Sequence, residues 1–327
     1  MPRIAVLRAL QLGDLLVAVP ALRALRRRFP DSEVTLIGLP WARDFVSRFS
    51  RYLDAFLEFP GWPGIPEAPV DRERIADFLA AQRMRPFDLA IQLHGSGGDS
   101  NRFMRALGAR TMVGWYDERG RAGLDLEQPY PAELHEIDRN LRLVGLLGAD
   151  TTDRRLELPI SAPERAATTE LLAGLRRPLI GIHAGARWRE RRWPATLFAR
   201  LASTLLRRAG GTVVLTGSRR EERLARAIAA RVDGPARVVA GRTSLGELAA
   251  LVASLDLLVT NDTGASHVAA ATETPSVVVW GTADERRWAP LDRARHAVVA
   301  SASGIRGVGV DAVLVAAMRR LRVRAAA

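Results

Sequence analysis

The sequence has neither lysine nor cysteine in its 327 residues, so its 48 lysine-plus-arginine side chains are all arginines. The missing lysine excludes a Walker-type phosphate loop, a pyridoxal Schiff base and a Schiff-base aldolase, because each needs a lysine amine. The missing cysteine excludes a thiol nucleophile, a disulfide framework and thiolate metal sites, and it removes any signal of redox compartment. Long apolar runs are absent too, since none approaches the ~20 residues that a membrane-spanning helix needs.

The N-terminal segment does not resemble a signal peptide, because Arg3, Arg8 and Asp14 interrupt its apolar residues. We therefore expect a cytoplasmic protein, with peripheral contact at the inner face of the cytoplasmic membrane as an option. The formal charge of +12 at first favours a nucleic-acid partner. The arginines are, however, spread along the chain in short runs at predicted helix ends, where the helix dipole favours them. We expect no nucleic-acid partner, whereas an anionic membrane surface fits the same charge.

The chain length suggests about two domains at ~150 residues each. Short apolar runs alternate with helical stretches, which is typical of parallel sheets covered on both faces. The pattern restarts near residues 155–163, so we predict Rossmann-like domains over 1–158 and 159–309, with a cleft between them, and a last helix from 310. Residues 116–132 lack periodicity and predict a long loop. The predicted strands are Arg3–Leu10, Glu33–Leu39, Asp88–His94, Thr111–Trp115, Leu179–Ala184, Thr212–Thr216, Arg237–Ala240, Leu257–Asn261 and Ser276–Trp280.

Ligands of doubly wound sheets lie beyond the carboxyl ends of the strands, so residues that directly follow a strand are the candidates for a site. The first such place is Leu12-Gly13-Asp14, after the first predicted strand. A glycine there permits a tight turn, and an aspartate at a helix start is an ordinary cap. The functional alternative makes Asp14 a carboxylate that accepts a proton from an attacking hydroxyl.

The second place is the loop from His183 to Pro194, where small residues such as Gly185 let backbone amides approach a ligand. Four arginines crowd this loop, and a guanidinium can hold two phosphate oxygens at once. We therefore predict a diphosphate site, although a solvated charged loop has the same composition.

Two further strand-to-helix turns are candidates. In the segment Thr216–Glu222, the amides near Ser218 could bind a phosphate or ribose, and Glu221 could accept hydrogen bonds from ribose hydroxyls. The structural alternative is that the segment is only a capping box. In Asn261-Asp-Thr-Gly-Ala-Ser-His267, the amides near Thr263 and Gly264 suit an anion without any lysine. Asp262 could orient a sugar hydroxyl or hold the loop, and His267 could equally be a packed histidine.

Several other chemistries leave no trace in the sequence. It has no Gly-x-Ser-x-Gly elbow, no His-x-x-x-His pair, no Gly-x-Gly-x-x-Gly and no Asp-x-Asp that would suggest a divalent metal at a nucleotide diphosphate. Without that metal motif, arginines and helix N-termini must supply the counter-charge. We therefore expect no metal and no other cofactor.

Together these motifs resemble the heptosyltransferase family, glycosyltransferase family 9, whose members move heptose from ADP-heptose to the inner core of lipopolysaccharide. The likeness spans nearly the whole chain, from Arg3–Asp14 through Arg191-Arg-Trp-Pro194 to Asn261–His267. It implies a GT-B fold of the α/β class, with the acceptor on the first domain and the nucleotide sugar on the second. It also implies that the helix within 310–327 packs back on the first domain.

The resemblance assigns roles residue by residue. Asp14 matches the proposed catalytic base of an inverting, metal-independent transfer. Arg191 stands where family members carry a lysine near the diphosphate. The other donor-binding positions are Gly185, Ser218, Glu221, Asp262, Thr263, Gly264 and His267, and the acceptor-binding candidates are Gly13 and His94. The segment His94–Asp99 differs from the family pattern, so the acceptor is left open as a glycolipid or other glycan.

Two competing interpretations remain at this point. Another GT-B enzyme that uses a UDP- or GDP-sugar, as a transferase or an epimerase, would share the fold and much of the anion site. An arginine-rich protein that binds nucleic acid or a membrane surface without catalysis would instead lose binding as salt is added and would not depend on Asp14.

Overall fold

A computed structural model describes residues 1–118, 120–281 and 283–325, which form two compact units. The units are Met1–Arg155 and Leu156–Ala327, so the division falls three residues before the predicted one at 158. The linking stretch 151–160 has no regular secondary structure. Each unit contains one parallel sheet with helices between most successive strands, which confirms the α/β class.

The first unit contains a six-stranded parallel sheet with the strand order β3-β2-β1-β4-β5-β6. Its strands are β1 (Arg3–Leu7), β2 (Glu33–Gly38), β3 (Ala55–Glu58), β4 (Leu89–Gln92), β5 (Thr111–Tyr116) and β6 (Leu126–Pro129). Its helices are α1 (Leu12–Leu16), α2 (Val19–Arg28), α3 (Ala42–Arg48), α4 (Arg72–Met84), α5 (Asp99–Leu107) and α6 (Glu136–Gly145).

The second unit also contains a six-stranded parallel sheet, ordered β12-β11-β10-β7-β8-β9. Its strands are β7 (Leu179–His183), β8 (Thr212–Leu215), β9 (Ala236–Val238), β10 (Leu257–Asn261), β11 (Ser276–Val279) and β12 (His296–Val299). Its helices are α7 (Ala162–Leu171), α8 (Ala195–Ala209), α9 (Glu222–Ala229), α10 (Leu245–Ser254), α11 (Gly264–Ala271), α12 (Glu285–Trp288) and α13 (Val310–Ala325). Short 3-10 turns lie at Arg189–Arg191, Arg219–Glu221 and Ile305–Gly307.

Both sheets have the doubly wound strand order, in which the first and fourth strands of the unit are neighbours. The chain leaves these two strands in opposite directions, so their carboxyl ends border the usual ligand crevice. In the first unit the neighbours are β1 and β4, and in the second they are β7 and β10. Asp14, Gly185 and Asp262 lie in the segments that directly follow β1, β7 and β10, so the fold positions all three at the carboxyl edge of a sheet.

Three strands differ from the sequence prediction. β6 lies inside the predicted loop 116–132, and β3 and β12 were not predicted at all. All three are edge strands with at most two fully buried residues, so none presents the continuous apolar run of a central strand. The predicted helix over Leu15–Phe29 is divided into α1 and α2, because Pro20 has no amide hydrogen to continue the hydrogen-bond ladder.

The buried face of α13 packs within the second unit. Val313, Leu314 and Ala317 are at most 3% exposed and join the apolar cluster beneath the sheet, and the helix contacts α8, β10, β11 and β12. The apolar stripe of this helix is used by its own unit, and the expectation that the helix also packs back on the first domain stays a prediction. Residues 326–327 of the predicted segment lie outside the described residues. Within the described ranges, no helix is long and apolar enough to cross a membrane.

A buried histidine makes the stability of the second unit depend on pH. His296 is 2% exposed, and its Nδ1 lies 2.9 Å from Ser276 Oγ. Burial lowers its pKa to about 4 from the ordinary histidine value of about 6.5, although Asp292 opposes the change. As pH falls, the unfolded chain therefore becomes protonated at this histidine at a higher pH than the folded protein does, which favours the unfolded state. The free energy of unfolding should fall by about 3 kcal/mol as pH drops from 6.5 to 4.

The variant His296→Gln tests this prediction, because it removes the titrating group and retains a polar partner for Ser276. Urea unfolding across the same pH range should give a flatter pH dependence for the variant than for the unmodified protein. Equal slopes for the two proteins would show that His296 does not control acid sensitivity.

Candidate active site

Asp14 lies in the first turn of α1, seven residues beyond the end of β1. Its Oδ2 accepts a hydrogen bond from the amide of Gln11 at 3.2 Å, in a reciprocal capping box. Asp14 is therefore a helix cap, as one interpretation of the sequence had it, and it is also a half-buried carboxylate at the carboxyl edge of the sheet. Gly13, the acceptor candidate beside it, is buried within the same turn.

The buried side chain of Arg8 is hydrogen-bonded to this turn. It is 3% exposed, and its Nε donates to the carbonyl oxygen of Asp14 at 2.7 Å. Its Nη1 donates to Asn140 Oδ1 at 3.1 Å and to the carbonyl of Leu93, and its Nη2 lies 3.8 Å from Glu136 Oε2. Arg8 thus ties β1, β4 and α6 to the turn that carries Asp14.

These neighbours set the basicity of Asp14. Burial raises the pKa of its carboxyl, the Arg8 guanidinium acts in the opposite direction, and the Glu136 carboxylate adds to the increase. A carboxylate with a raised pKa is a stronger base than an exposed aspartate, while a neighbouring cation still favours its ionised form. The arrangement is suited to accepting a proton.

His94, the second acceptor candidate, follows β4 and is 8% exposed. Its Nδ1 accepts from the amide of Ala9 at 3.2 Å, and its Nε2 lies 3.7 Å from Glu67 Oε2. The ring therefore orders the loop between β1 and α1. Because β1 and β4 are neighbours, His94 lies at the same sheet edge as Asp14, and its contact with an acceptor stays a prediction.

In the second unit, Asn261 links the loop after β7 to the turn after β10. It is fully buried at the end of β10, and its Oδ1 accepts from the amide of Trp193 at 3.0 Å. Its Nδ2 donates to the carbonyls of Ala184 and Gly185 at 2.8 and 3.3 Å. One side chain therefore fixes both ends of the arginine-rich loop against the turn that begins at Asp262. Sequence reasoning did not select Asn261 itself, although it lies in the motif that was selected.

The arginines of the loop after β7 point in two directions. Arg187 and Arg189 are exposed, as expected of a solvated loop. Arg192 turns inward, where its Nε donates to the carbonyl of Ala186 at 2.8 Å. Arg191 also turns inward, and its Nη1 donates to Asp262 Oδ2 at 3.2 Å. The loop therefore combines both interpretations of the sequence, with Arg191 as its inward cation.

Arg191 and Asp262 form a partly buried ion pair. Asp262 is 5% exposed, and burial raises the pKa of its carboxyl while Arg191 opposes the increase. The guanidinium has further N–H groups for another oxyanion, because it carries five donors. Asp262 thus orients the guanidinium that the sequence assigns to the diphosphate.

Gly185, Ser218 and Glu221 come together beside this pair. Glu221 Oε2 accepts from both the amide and the hydroxyl of Ser218 at 2.8 Å, which confirms the capping box. The other carboxylate oxygen lies over Gly185, where a Cβ would come within 1.8 Å of Oε1. The Glu221 carboxylate thus occupies the space that any side chain at Gly185 would need.

His183, at the end of β7, completes this group. Its Nδ1 lies 3.0 Å from Thr216 Oγ1, and burial lowers its pKa. Burial acts to raise the pKa of Glu221, but His183 and the Ser218 hydrogen bonds outweigh it and the pKa is lowered. Glu221 is consequently an ionised hydrogen-bond acceptor.

The turn after β10 opens directly into α11. Thr263 is the N-cap of this helix in extended conformation, Gly264 is its first residue, and both are half-buried. The first amides of a helix lack intrahelical partners and attract anions. His267 is 5% exposed and its ring packs edge-on against Trp288 at 6.3 Å, as a packed histidine does. Its contact with a donor sugar stays a prediction.

The variant Arg191→Ala should weaken ADP binding about tenfold or more, because a charge-assisted hydrogen bond is worth about 1.5–3 kcal/mol. The loss should be partly restored in Arg191→Ala/Asp262→Asn, since the single variant leaves an unpaired carboxylate near the phosphates. Titration calorimetry with ADP gives both affinities. The matched control is Arg189→Ala, an exposed arginine of the same loop. Equal losses for Arg191→Ala and Arg189→Ala would contradict the assignment.

Among the described residues there is no group of three or more histidine, aspartate and glutamate side chains that could hold a metal ion. The residues at the two sheet edges form pairs of opposite charge instead, such as Arg191 with Asp262.

Comparison with known proteins identifies the family. Residues 76–305 match the model of glycosyltransferase family 9 (heptosyltransferase). Lipopolysaccharide heptosyltransferase 2 of Escherichia coli K12 is 27% identical over 299 residues, covering 85% of this chain and 82% of that protein. Lipooligosaccharide heptosyltransferase 2 of Haemophilus influenzae is 26% identical over 302 residues, covering 85% and 83%.

Solved structures confirm the fold. A glycosyltransferase family 9 protein from Veillonella parvula aligns with a TM-score of 0.84 at 22% identity, covering 98% of both chains. E. coli ADP-heptose lipopolysaccharide heptosyltransferase II aligns with a TM-score of 0.78 at 23% identity, covering all of both chains. The predicted GT-B fold is thereby confirmed. The chain belongs to glycosyltransferase family 9, the heptosyltransferases, and is a glycosyltransferase.

Proposed function

We propose that this protein transfers heptose, or a closely related sugar, from an ADP-sugar to a lipopolysaccharide-core acceptor. The observation that carries the proposal is the family match over residues 76–305, joined by relatives named as lipopolysaccharide and lipooligosaccharide heptosyltransferases. The ADP-sugar donor is supported by a related fold, the E. coli heptosyltransferase WaaC, whose structure was solved with ADP-2-deoxy-2-fluoro heptose.

The proposed chemistry is a single displacement with inversion. Asp14 takes the proton of an acceptor hydroxyl as its oxygen attacks the anomeric carbon, and the bond from that carbon to the β-phosphate oxygen breaks. The electron pair of this bond leaves with ADP. The raised pKa of Asp14 supports its role as base, because proton transfer is most effective when the pKa of the base approaches the working pH.

The leaving diphosphate would be stabilised by protein groups. Arg191 supplies a guanidinium, and the start of α11 supplies the amides near Thr263 and Gly264. Fixed donors of this kind act on developing charge without reorganising, and removing one from an enzyme typically slows turnover by about 100-fold or more. Glu221 and Ser218 would bind the ribose, with Gly185 allowing the close approach, while Asp262 and His267 would contact the donor sugar.

Metal independence is part of the proposal. The cationic groups assigned to the diphosphate are protein groups, so a divalent ion is not needed to balance its charge. Activity should therefore persist in excess EDTA. We also propose that the acceptor is a glycolipid, bound near Gly13 and His94, so the protein works in peripheral contact with a membrane.

The test is a mass-spectrometric assay of sugar nucleotides against truncated lipopolysaccharide cores. A product heavier by one heptose, formed from ADP-heptose and with ADP as the second product, supports the proposal. Transfer from a UDP- or GDP-sugar alone would replace the donor assignment, and isomerised donor without acceptor would indicate an epimerase. Binding of nucleic acid without any turnover would contradict catalysis.

A further inference from the structure

A cavity of about 560 Å³ lies at the outer edge of the second unit. It is formed by α12, β12 and α13, which follow one another along the chain. β12 is one of the two edge strands of the sheet, and His296 in the cavity wall is its first residue. The cavity thus reaches the amino end of a parallel strand, whereas the donor loops follow the carboxyl ends of β7, β8 and β10. None of the residues assigned to the donor or the acceptor lines it.

The wall of the cavity carries an excess of positive charge. Arg293, Arg319 and Arg320 line it with a single carboxylate, Glu285, which pairs with Arg293 at 3.0 Å. Arg319 is exposed, and Arg320 Nη2 donates to the carbonyl of Arg293 at 2.9 Å. Arg320 Nε is buried without a hydrogen-bond partner among the described residues. The exposed Arg319 guanidinium and the remaining Nη N–H groups of Arg320 are therefore what this wall offers to an anion.

The remaining lining is apolar and partly open to solvent. Ala297 and Val298 form the strand side, and Ala312, Val315 and Ala316 form the helix side. Val315 is 50% exposed although it is a large apolar residue. Leu291, in the loop between α12 and β12, is also exposed, at 39%. A surface that pairs guanidiniums with exposed apolar side chains suits an amphiphilic anion better than a simple salt.

We propose that this cavity binds the phosphate headgroup of an anionic phospholipid and docks the second unit on a membrane surface. Arg319 and Arg320 would hold the phosphate oxygens. Val315 and the neighbouring alanines would contact the glycerol and the first acyl carbons. The inference deepens the proposed function, because a glycolipid acceptor must be reached at a membrane, but the binding it predicts needs neither donor nor acceptor.

The test measures co-sedimentation of the full chain with phosphatidylcholine vesicles, with and without phosphatidylglycerol. The protein should bind the anionic vesicles and leave the neutral ones, and added salt should weaken the binding. Arg319→Gln should lower the partition coefficient about fivefold, since one basic residue near an anionic surface contributes about that factor. Val315→Ser should lower it as well, whereas the control Arg176→Gln, which removes an exposed arginine elsewhere in the unit, should have less effect.

Three results would overturn the proposal. The first is equal partition into neutral and anionic vesicles, and the second is equal loss for Arg319→Gln and Arg176→Gln. The third is binding of inorganic phosphate in calorimetry without co-sedimentation on anionic vesicles, which would make the cavity a site for free phosphate. Transfer to a water-soluble core acceptor should be unchanged in Arg319→Gln, so the proposed activity and the docking fail separately.

Discussion

Asp14→Asn is expected to fold, to bind ADP normally and to lose turnover by about 100- to 10,000-fold, the range typical of removing a general base. The amide oxygen of asparagine can still accept the hydrogen bond from the amide of Gln11, so the start of α1 should be preserved. Loss of turnover would then report the missing base and not a disturbed helix. Steady-state kinetics with saturating donor and acceptor measures the effect on kcat.

The pH dependence gives a second measurement on the same residue. Because burial raises the pKa of Asp14, turnover should fall as pH decreases through that raised pKa, where the base becomes protonated. The residual activity of Asp14→Asn should lack this acidic limb. Asp44→Asn, which neutralises an exposed carboxylate in α3, is the matched control. Turnover of Asp14→Asn at the level of this control would remove Asp14 from the mechanism.

Gly185→Ala is expected to weaken nucleotide binding about tenfold or more and to leave the fold intact. The new methyl would lie 1.8 Å from Glu221 Oε1, so the carboxylate must move, and a side-chain end can do this without unfolding the strand. Displaced from its position, Glu221 would lose the hydrogen bonds to Ser218 that orient it for the proposed ribose contact. Loss of hydrogen bonds to a charged group costs about 1.5–3 kcal/mol, which sets the expected factor.

A double-mutant cycle isolates the cause of that loss. In a Glu221→Ala background the carboxylate is gone, so Gly185→Ala should cost little further ADP affinity in calorimetry. Gly309→Ala is the control, because a Cβ there meets nothing within 4 Å. Fully additive effects of Gly185→Ala and Glu221→Ala would show that the glycine is needed for some other reason.

Central strands could be predicted from the sequence, whereas most edge strands could not. β1, β7 and β10 are buried on both faces and present continuous apolar runs, which a sequence shows directly. An edge strand such as β6 has no buried residue and ends at Pro129, so its amino-acid composition resembles that of a loop. Its place in the sheet depends on β5 beside it, and this is information that the segment itself does not contain.

The candidate site also contains residues that could be predicted from the sequence and residues that could not. Asp14, Arg191 and Asp262 follow strands directly and could be found by position along the chain. The residues that hold them in place could not, because they are distant in sequence. Asn140 and Glu136 contact Arg8 across more than 120 residues, and only the neighbouring strands and α6 bring them together. Their polar side chains in a helix carry no local signal that distinguishes them from ordinary solvent-facing positions.

The pairing of Arg191 with Asp262 means that the proposed diphosphate site already contains its own counterion before any nucleotide arrives. A phosphate that enters the site would share the Arg191 guanidinium with the Asp262 carboxylate or displace that carboxylate from it. It would not bind an unpaired cation whose charge is balanced by ions from solution. Because the phosphate exchanges with a carboxylate of the protein, its binding releases few ions to solution. The contribution of Arg191 to ADP affinity should therefore vary only weakly with ionic strength. The same carboxylate can reclaim the guanidinium as the spent nucleotide departs, which favours turnover over tight retention of product.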